Sequence, residues 1–400
     1  MTNEDNNDVA AAPETADPPS SFYEFIALRV LSTHGPPATR QLRYASLYPP
    51  RPFGSSIAFG GSVLAAAVQA AFGALNDIAG SLAVAEQYAP YSFQGAFTAA
   101  SSLEHILEID VKTLRWTRSF ATFFVIISQP VSNNGDEQHA SEKRNRRKTM
   151  VATFDFIRPG PALIDFDPAP REPLSGLPWA SPTNLPSYYD EIERRADDAN
   201  SQVSPRAVAV ERLATQDWQD ILEVRLPPES LLAQTMGCLV PMLPNSQSHL
   251  HPTDKRAADW SRYTTPMTAE GIAADAFAQH ARTHGRVLIT PASANAAALA
   301  HFADSRLAWT ASGTAAISIK LLDFTATLDF SLRFHRHTTA ALRADKWMLR
   351  EMRSIAAGEG RSFSEARIWN EQGKLLATMS QQCLLSPHRA NHRNAIKVKL

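Results

Sequence analysis

The sequence predicts an α+β protein made of two copies of one unit, an antiparallel sheet wrapped round a single buried helix. Three observations predict it. The first is the stretch Thr325 to Phe334, where Ala326, Leu328, Phe330, Leu332 and Phe334 alternate with Thr325, Thr327, Asp329, Ser331 and Arg333. Period two over such a length is a strand with one face against a core. The second is a pair of small-residue helices, one opening at Phe59-Gly60-Gly61 and one running from Ala292 to Trp309, each set ahead of a run of strands. The third is a weak repeat: Arg118-Ser119-Phe120 opens a strand in the first half and Arg361-Ser362-Phe363 opens one in the second.

Taken in order, residues 1–21 are Asn/Asp/Pro/Ala-rich and acidic, a disordered lead-in without the basic and apolar regions of a signal peptide. Residues 22–160 form the first unit. Its helix, Phe59 to Leu75, is small and apolar nearly all round, so it is buried on most sides rather than amphipathic. Gly60 and Gly61 let another group approach its N-terminus, where unpaired N–H groups collect. Strands are expected at Leu107 to Leu114, Ser119 to Gln129 and Thr149 to Ile157, with a charged hairpin tip at Arg144 to Lys148. Residues 161–205 are proline-rich and read as a linker with one short helix near Tyr188 to Ala196. Residues 206–388 form the second unit, with strands near Ala207 to Leu213 and Ile221 to Leu226 and an insertion around 232–264. Further strands follow the Ala292 helix: Thr325 to Phe334, Lys346 to Ile355, Ser362 to Asn370 and Leu375 to Leu385. Residues 389–400 are a basic tail.

Composition removes several function classes. A net charge of -1 offers no basic excess to neutralise nucleic-acid phosphates. Two cysteines, Cys238 and Cys383, make no disulfide framework and suit a reducing interior. The longest near-apolar run, Val63 to Leu75, falls short of the roughly 20 residues of a membrane span. His335, His337, His280 and His284 have no acidic or cysteine partner at ligand spacing, so no metal and no cofactor is expected. No G-x-S-x-G elbow occurs, which disfavours a covalent serine hydrolase.

Two polar side chains sit where the pattern calls for apolar ones. Asp304 shares a helix stripe with Ala297, Ala300, His301 and Leu307. A carboxylate there must be paired, or burial raises the cost of ionising it; the alternatives are a base in a site and an ion pair with Arg306 or a residue across the sheet. Gln381 is the polar member of Leu375, Ala377, Met379, Gln381, Cys383, Leu385, either serving a site or bonding to core backbone. Thr327 falls on the polar face by strict alternation, exposed to solvent unless that face lines a cleft or a bulge turns the strand.

Several motifs together resemble the type II acyl-CoA thioesterase family, whose fold is a tandem (double) hotdog. They are Phe59-Gly60-Gly61 with Val63-Leu64, Ala303-Asp304-Ser305, Thr327-Leu328-Asp329 continuing through Ser331 to Arg336, Ala356 to Arg361, and Gly373 with Leu375, Ala377 and Gln381. This resemblance implies two antiparallel sheets, each wrapped round a central helix. It implies an acyl-CoA substrate hydrolysed to free CoA and a carboxylic acid, with Asp304, Thr327 and Gln381 holding the attacking water. The alternatives are a non-catalytic acyl-CoA-binding protein on the same fold, or a thioesterase or acyltransferase of a specialised biosynthetic pathway. His337, Phe330 and Gln382-Cys383 depart from the family pattern and bear on pocket shape. The first-half helix offers Ala, Gln and Phe in place of the aspartate, so that half is expected to be silent. A homo-oligomer is compatible with all of this. The default location is the cytoplasm, with the peroxisome as the alternative because Val398-Lys399-Leu400 is similar to an S-K-L address.

Overall fold

A computed structural model describes residues 19–52, 57–131, 146–197, 218–235, 244–279, 284–317, 321–336 and 341–387, with scattered positions between 208 and 237. Residues 1–18, Cys238, His280, His337 and the basic tail lie outside it. The strands are β1 (Leu28–His34), β2 (Gln41–Ser46), β3 (Ala89–Phe97), β4 (Glu108–Trp116), β5 (Phe120–Pro130), β6 (Arg146–Ile157), β7 (Leu222–Arg225), β8 (Ala257–Tyr263), β9 (Leu322–Phe334), β10 (Met348–Gly358), β11 (Arg361–Asn370) and β12 (Leu375–Pro387). Among the described residues they form one sheet in the order β1-β2-β4-β5-β6-β3-β9-β12-β11-β10-β8-β7.

The repeat is legible in that order. Within each half the strands lie first, second, fourth, fifth, sixth, third, and the two third strands meet. A helix sits between the second and third strand of each half: Gly60–Ala79 in the first and Pro291–Asp304 in the second. The expected pair of separate sheets is corrected to one continuous sheet. β3 pairs antiparallel with β9 from Ser92 opposite Arg333 to Ala96 opposite Asp329. Joining satisfies backbone groups that two free edges would leave open. Arg333 bonds Ser92 at 2.8 Å and Gln94 at 3.1 Å across the seam, and Phe330 packs on Phe93 and Phe97 with ring centroids 4.9 and 5.7 Å apart.

Both core helices are buried almost throughout, because alanine-rich faces let the sheet curl closely over them. The second starts at Thr290, whose side chain forms a reciprocal capping box with Ser293, with proline in the first turn. The first ends at Gly80 in the left-handed conformation (φ 71). The first helix runs longer than expected. At 20 residues it meets the length and hydropathy of a membrane span, yet 78% of its apolar window is buried inside this protein.

Other boundaries follow the sequence with local exceptions. The helix expected near Tyr188 runs Tyr188–Asp197. The strand expected over 207–213 is not present: residues 208, 209, 211 and 212 are helical. The stretch expected as an insertion supplies β8, buried on both faces between β10 and β7. Its alternation is hidden because Asp259 and Ser261 are buried along with Trp260.

Candidate active site

The site forms where the C-terminal end of the second core helix meets the N-terminal end of the first. Asp304 is the last residue of Pro291–Asp304 and is 6% exposed. The helices touch closely here: a Cβ on Gly61 would lie 2.6 Å from the carbonyl oxygen of His301, and one on Gly60 would lie 2.7 Å from Asp304 Oδ2. Only hydrogen at both positions allows the approach. The carboxylate thus leaves the negative end of its own helix dipole and faces the positive end of the other.

Burial is the largest influence on Asp304 and pushes its pKa up to about 6. A bond from the Gln381 side chain, the backbone N–H of Gly61 and the charge of Arg350 oppose that rise. Gln381 is fully buried, and its Nε2 donates to Asp304 Oδ1. Its Oε1 accepts from Thr327 Oγ1 at 3.4 Å. Three side chains from the second helix, β12 and β9 therefore form one chain of contacts, Thr327 to Gln381 to Asp304. Of the contacts expected for each, Arg306 pairs with Glu211 at 2.7 Å rather than with Asp304, and Gln381 bonds the side chains of Asp304 and Thr327 rather than core backbone.

Thr327 reaches the site through a bulge. Gln381 stands opposite Phe330 and Gln382 opposite Asp329, but Cys383 stands opposite Thr327, so Leu328 is the extra residue on β9. Directly opposed residues share a face of the sheet. Gln381 and Cys383 face the core, and the bulge turns Thr327 to the same side. Strict alternation had placed it outward. Cys383 is fully buried, which pushes its thiol up to about 12 and leaves it neutral.

His301 stands one turn before Asp304. Burial pushes it down to about 3, so it is neutral, and its Nδ1 lies 2.6 Å from the Tyr263 hydroxyl. It is enclosed by Phe59 and Trp218 at ring distances of 5.0 and 4.6 Å. Among the described residues no three His, Cys, Asp or Glu side chains gather at metal-binding distance. The backbone donor of Gly61 and the charged side chain of Arg350 are site components that pattern alone did not identify as such.

The family profile described as the acyl-CoA thioesterase C-terminal domain matches residues 167–385. A curated relative, acyl-coenzyme A thioesterase 8 of Mus musculus, is 41% identical over 61 residues, which span 15% of this chain and 18% of that protein. Among solved structures, an acyl-CoA thioesterase II from Mycobacterium marinum superposes with a TM-score of 0.53 at 17% identity, covering 92% of this chain and 98% of that one. A conserved protein of unknown function with a hot dog fold from Alicyclobacillus acidocaldarius gives a TM-score of 0.51 at 15% identity, with the same coverage of 92% and 98%. These likenesses concern the fold.

Proposed function

Starting from a chain that belongs to the acyl-CoA thioesterase C-terminal domain family, we propose that it hydrolyses acyl-CoA thioesters to free CoA and a carboxylic acid by direct attack of water. The observation that carries this reading is the continuous contact chain from Thr327 through Gln381 to a buried carboxylate. A carboxylate poised near neutrality is suited to accept a proton during the reaction. Asp304, ionised, takes one proton of the water as its oxygen bonds to the thioester carbonyl carbon. Thr327 accepts the water's other hydrogen. The second N–H of Gln381, turned toward the weak acceptor Met379 Sδ at 3.9 Å, remains to orient the water oxygen. The positive end of the Gly60–Ala79 helix stabilises the developing oxyanion. Collapse of that intermediate expels the CoA thiolate, which takes up the proton held by Asp304. We read the continuous sheet as two hotdog units fused at β3 and β9, with this chemistry in the second.

The test is release of CoA thiol from a panel of acyl-CoA chain lengths across pH. The expected result is turnover whose kcat/KM falls as pH drops through about 6, because Asp304 must be unprotonated to act. Tight acyl-CoA binding with no thiol release would instead support the binding-protein alternative.

The first half has no carboxylate at the matching place. A fully buried polar side chain within its helix is Gln69, whose Nε2 donates to the Leu288 carbonyl at 3.0 Å near the start of the second helix. Gln69→Leu is expected to leave kcat within about twofold of wild type and to lower stability by about 1 kcal/mol through the lost bond. Parallel steady-state kinetics and thermal melts check this; a folded Gln69→Leu protein without turnover would place chemistry in the first half.

A further inference from the structure

Resting on Asp304 as the base, we propose that Arg350, held by Asp259, is a positioning residue that fixes the helix end carrying that carboxylate. Arg350 belongs to β10 and its side chain is 1% exposed. Its Nε and Nη2 grip Asp259 Oδ1 and Oδ2 at 3.0 and 2.8 Å, and Asp259 stands directly opposite it on β8. The remaining arm, Nη1, donates to the carbonyl oxygens of Phe302 and Ser305 and to Ser305 Oγ. Those carbonyls bracket Asp304 at the helix end, where the Phe302 oxygen also accepts from the backbone N–H and Oγ of Ser305 at 3.2 and 2.8 Å. The guanidinium also lies over the Phe302 ring, 4.3 Å from its centroid. One rigid fork therefore ties two strands of the sheet to the residues on both sides of the base.

Geometry is what this pair supplies best. A buried ion pair contributes little net stability against apolar residues of equal volume, whereas a guanidinium fixed at both ends sets direction as well as distance. Just beyond the clamp, Arg306 adopts a left-handed φ of 62, a conformation that a side-chain-bearing residue holds only where its surroundings impose it. The helix thus stops abruptly, with the Phe302 and Ser305 carbonyls held by Arg350 and the Phe302 carbonyl capped by Ser305 as well.

Among the described residues the charges facing Asp304 are few. Arg350 comes from β10 with Asp259 of β8 behind it; Cys383 comes from β12 and is neutral; His301 on its own helix is neutral. The first core helix contributes the backbone N–H of Gly61. Among the described residues Arg350 is thus the full charge that favours the ionised base, and its loss makes Asp304 harder to ionise.

The test uses the full chain in three variants beside wild type. Arg350→Met combined with Asp259→Leu removes the pair without leaving a lone buried charge. Arg350→Lys keeps the charge but cannot span both carbonyls and the aspartate. Asp304→Asn reports on the base itself. The expected result for the double variant is a melting temperature near or above wild type, kcat lower by about 10–100-fold with little change in KM, and an acid limb of kcat/KM moved upward by about half a pH unit or more. Arg350→Lys is expected to lower kcat while leaving the acid limb within about 0.2 of wild type. A folded double variant with wild-type kcat and acid limb, alongside an inactive Asp304→Asn, overturns the role of Arg350 alone. An active Asp304→Asn overturns both this inference and the reading beneath it.

Discussion

Asp304→Asn is expected to lower kcat for acyl-CoA hydrolysis by about 10²–10⁴, the usual contribution of a general base, while making the protein more stable above neutral pH. The two effects share one cause. Burial raises the carboxyl pKa from 3.8 to about 6, so the folded state binds that proton more tightly than the unfolded chain. The associated stability is fully present below pH 3.8 and is lost as pH rises through about 6. A shift of that size corresponds to about 3 kcal/mol, less whatever the amide forfeits in its bonds to Gln381 and Gly61. Denaturant unfolding at pH 5 and pH 8 measures this: the stability gap between variant and wild type should widen toward pH 8. Equal stabilities at both values, or wild-type turnover, would remove Asp304 from the role of a buried base.

Gly61→Ala should damage both stability and turnover through a single methyl group. The added carbon would sit 2.5 Å from the Phe59 ring and 2.6 Å from the His301 carbonyl oxygen. A ring edge can swing away; a helix carbonyl cannot move without its helix. The two core helices must therefore separate, at a cost of about 1–3 kcal/mol for overpacking. The same movement draws the Gly61 N–H away from Asp304, so kcat/KM should fall by about 10² through misplacement of the base. Thermal melts and kinetics read the two losses independently. Wild-type values in both would mean that the helix crossing tolerates expansion and that the Gly61 contact is dispensable.

Much of this site could be read from the order of residues because its members violate local patterns. Asp304 and Gln381 are polar where periodicity calls for apolar groups, and Gly60-Gly61 places two glycines in the first turn of a helix whose N-cap, Phe59, makes no side-chain cap. Thr327 was ambiguous for a physical reason: a bulge at Leu328 changes the face without changing any residue, and bulges depend on the partner strand. β8 was hidden because the charge of Asp259 is satisfied by Arg350, 91 residues away in sequence, which no local window contains. β3 was hidden by Pro90 and Gly95, residues that usually mark an edge. Here Gly95 is required, since a Cβ would lie 2.3 Å from the Val151 carbonyl oxygen on the neighbouring strand. The joining of two sheets into one also left no local trace, because it is made by backbone groups that every residue carries.

The seam between β3 and β9 has a consequence for how such a protein can change. Two identical subunits meeting edge to edge would have to carry every substitution twice, once on each side of the axis. Here both copies of the strand order travel on one polypeptide, so one copy is free to keep the acid while the other drifts into a wall, a lid or a counterweight. The single reaction centre per pair proposed above would then be an outcome of covalent linkage rather than of chance loss.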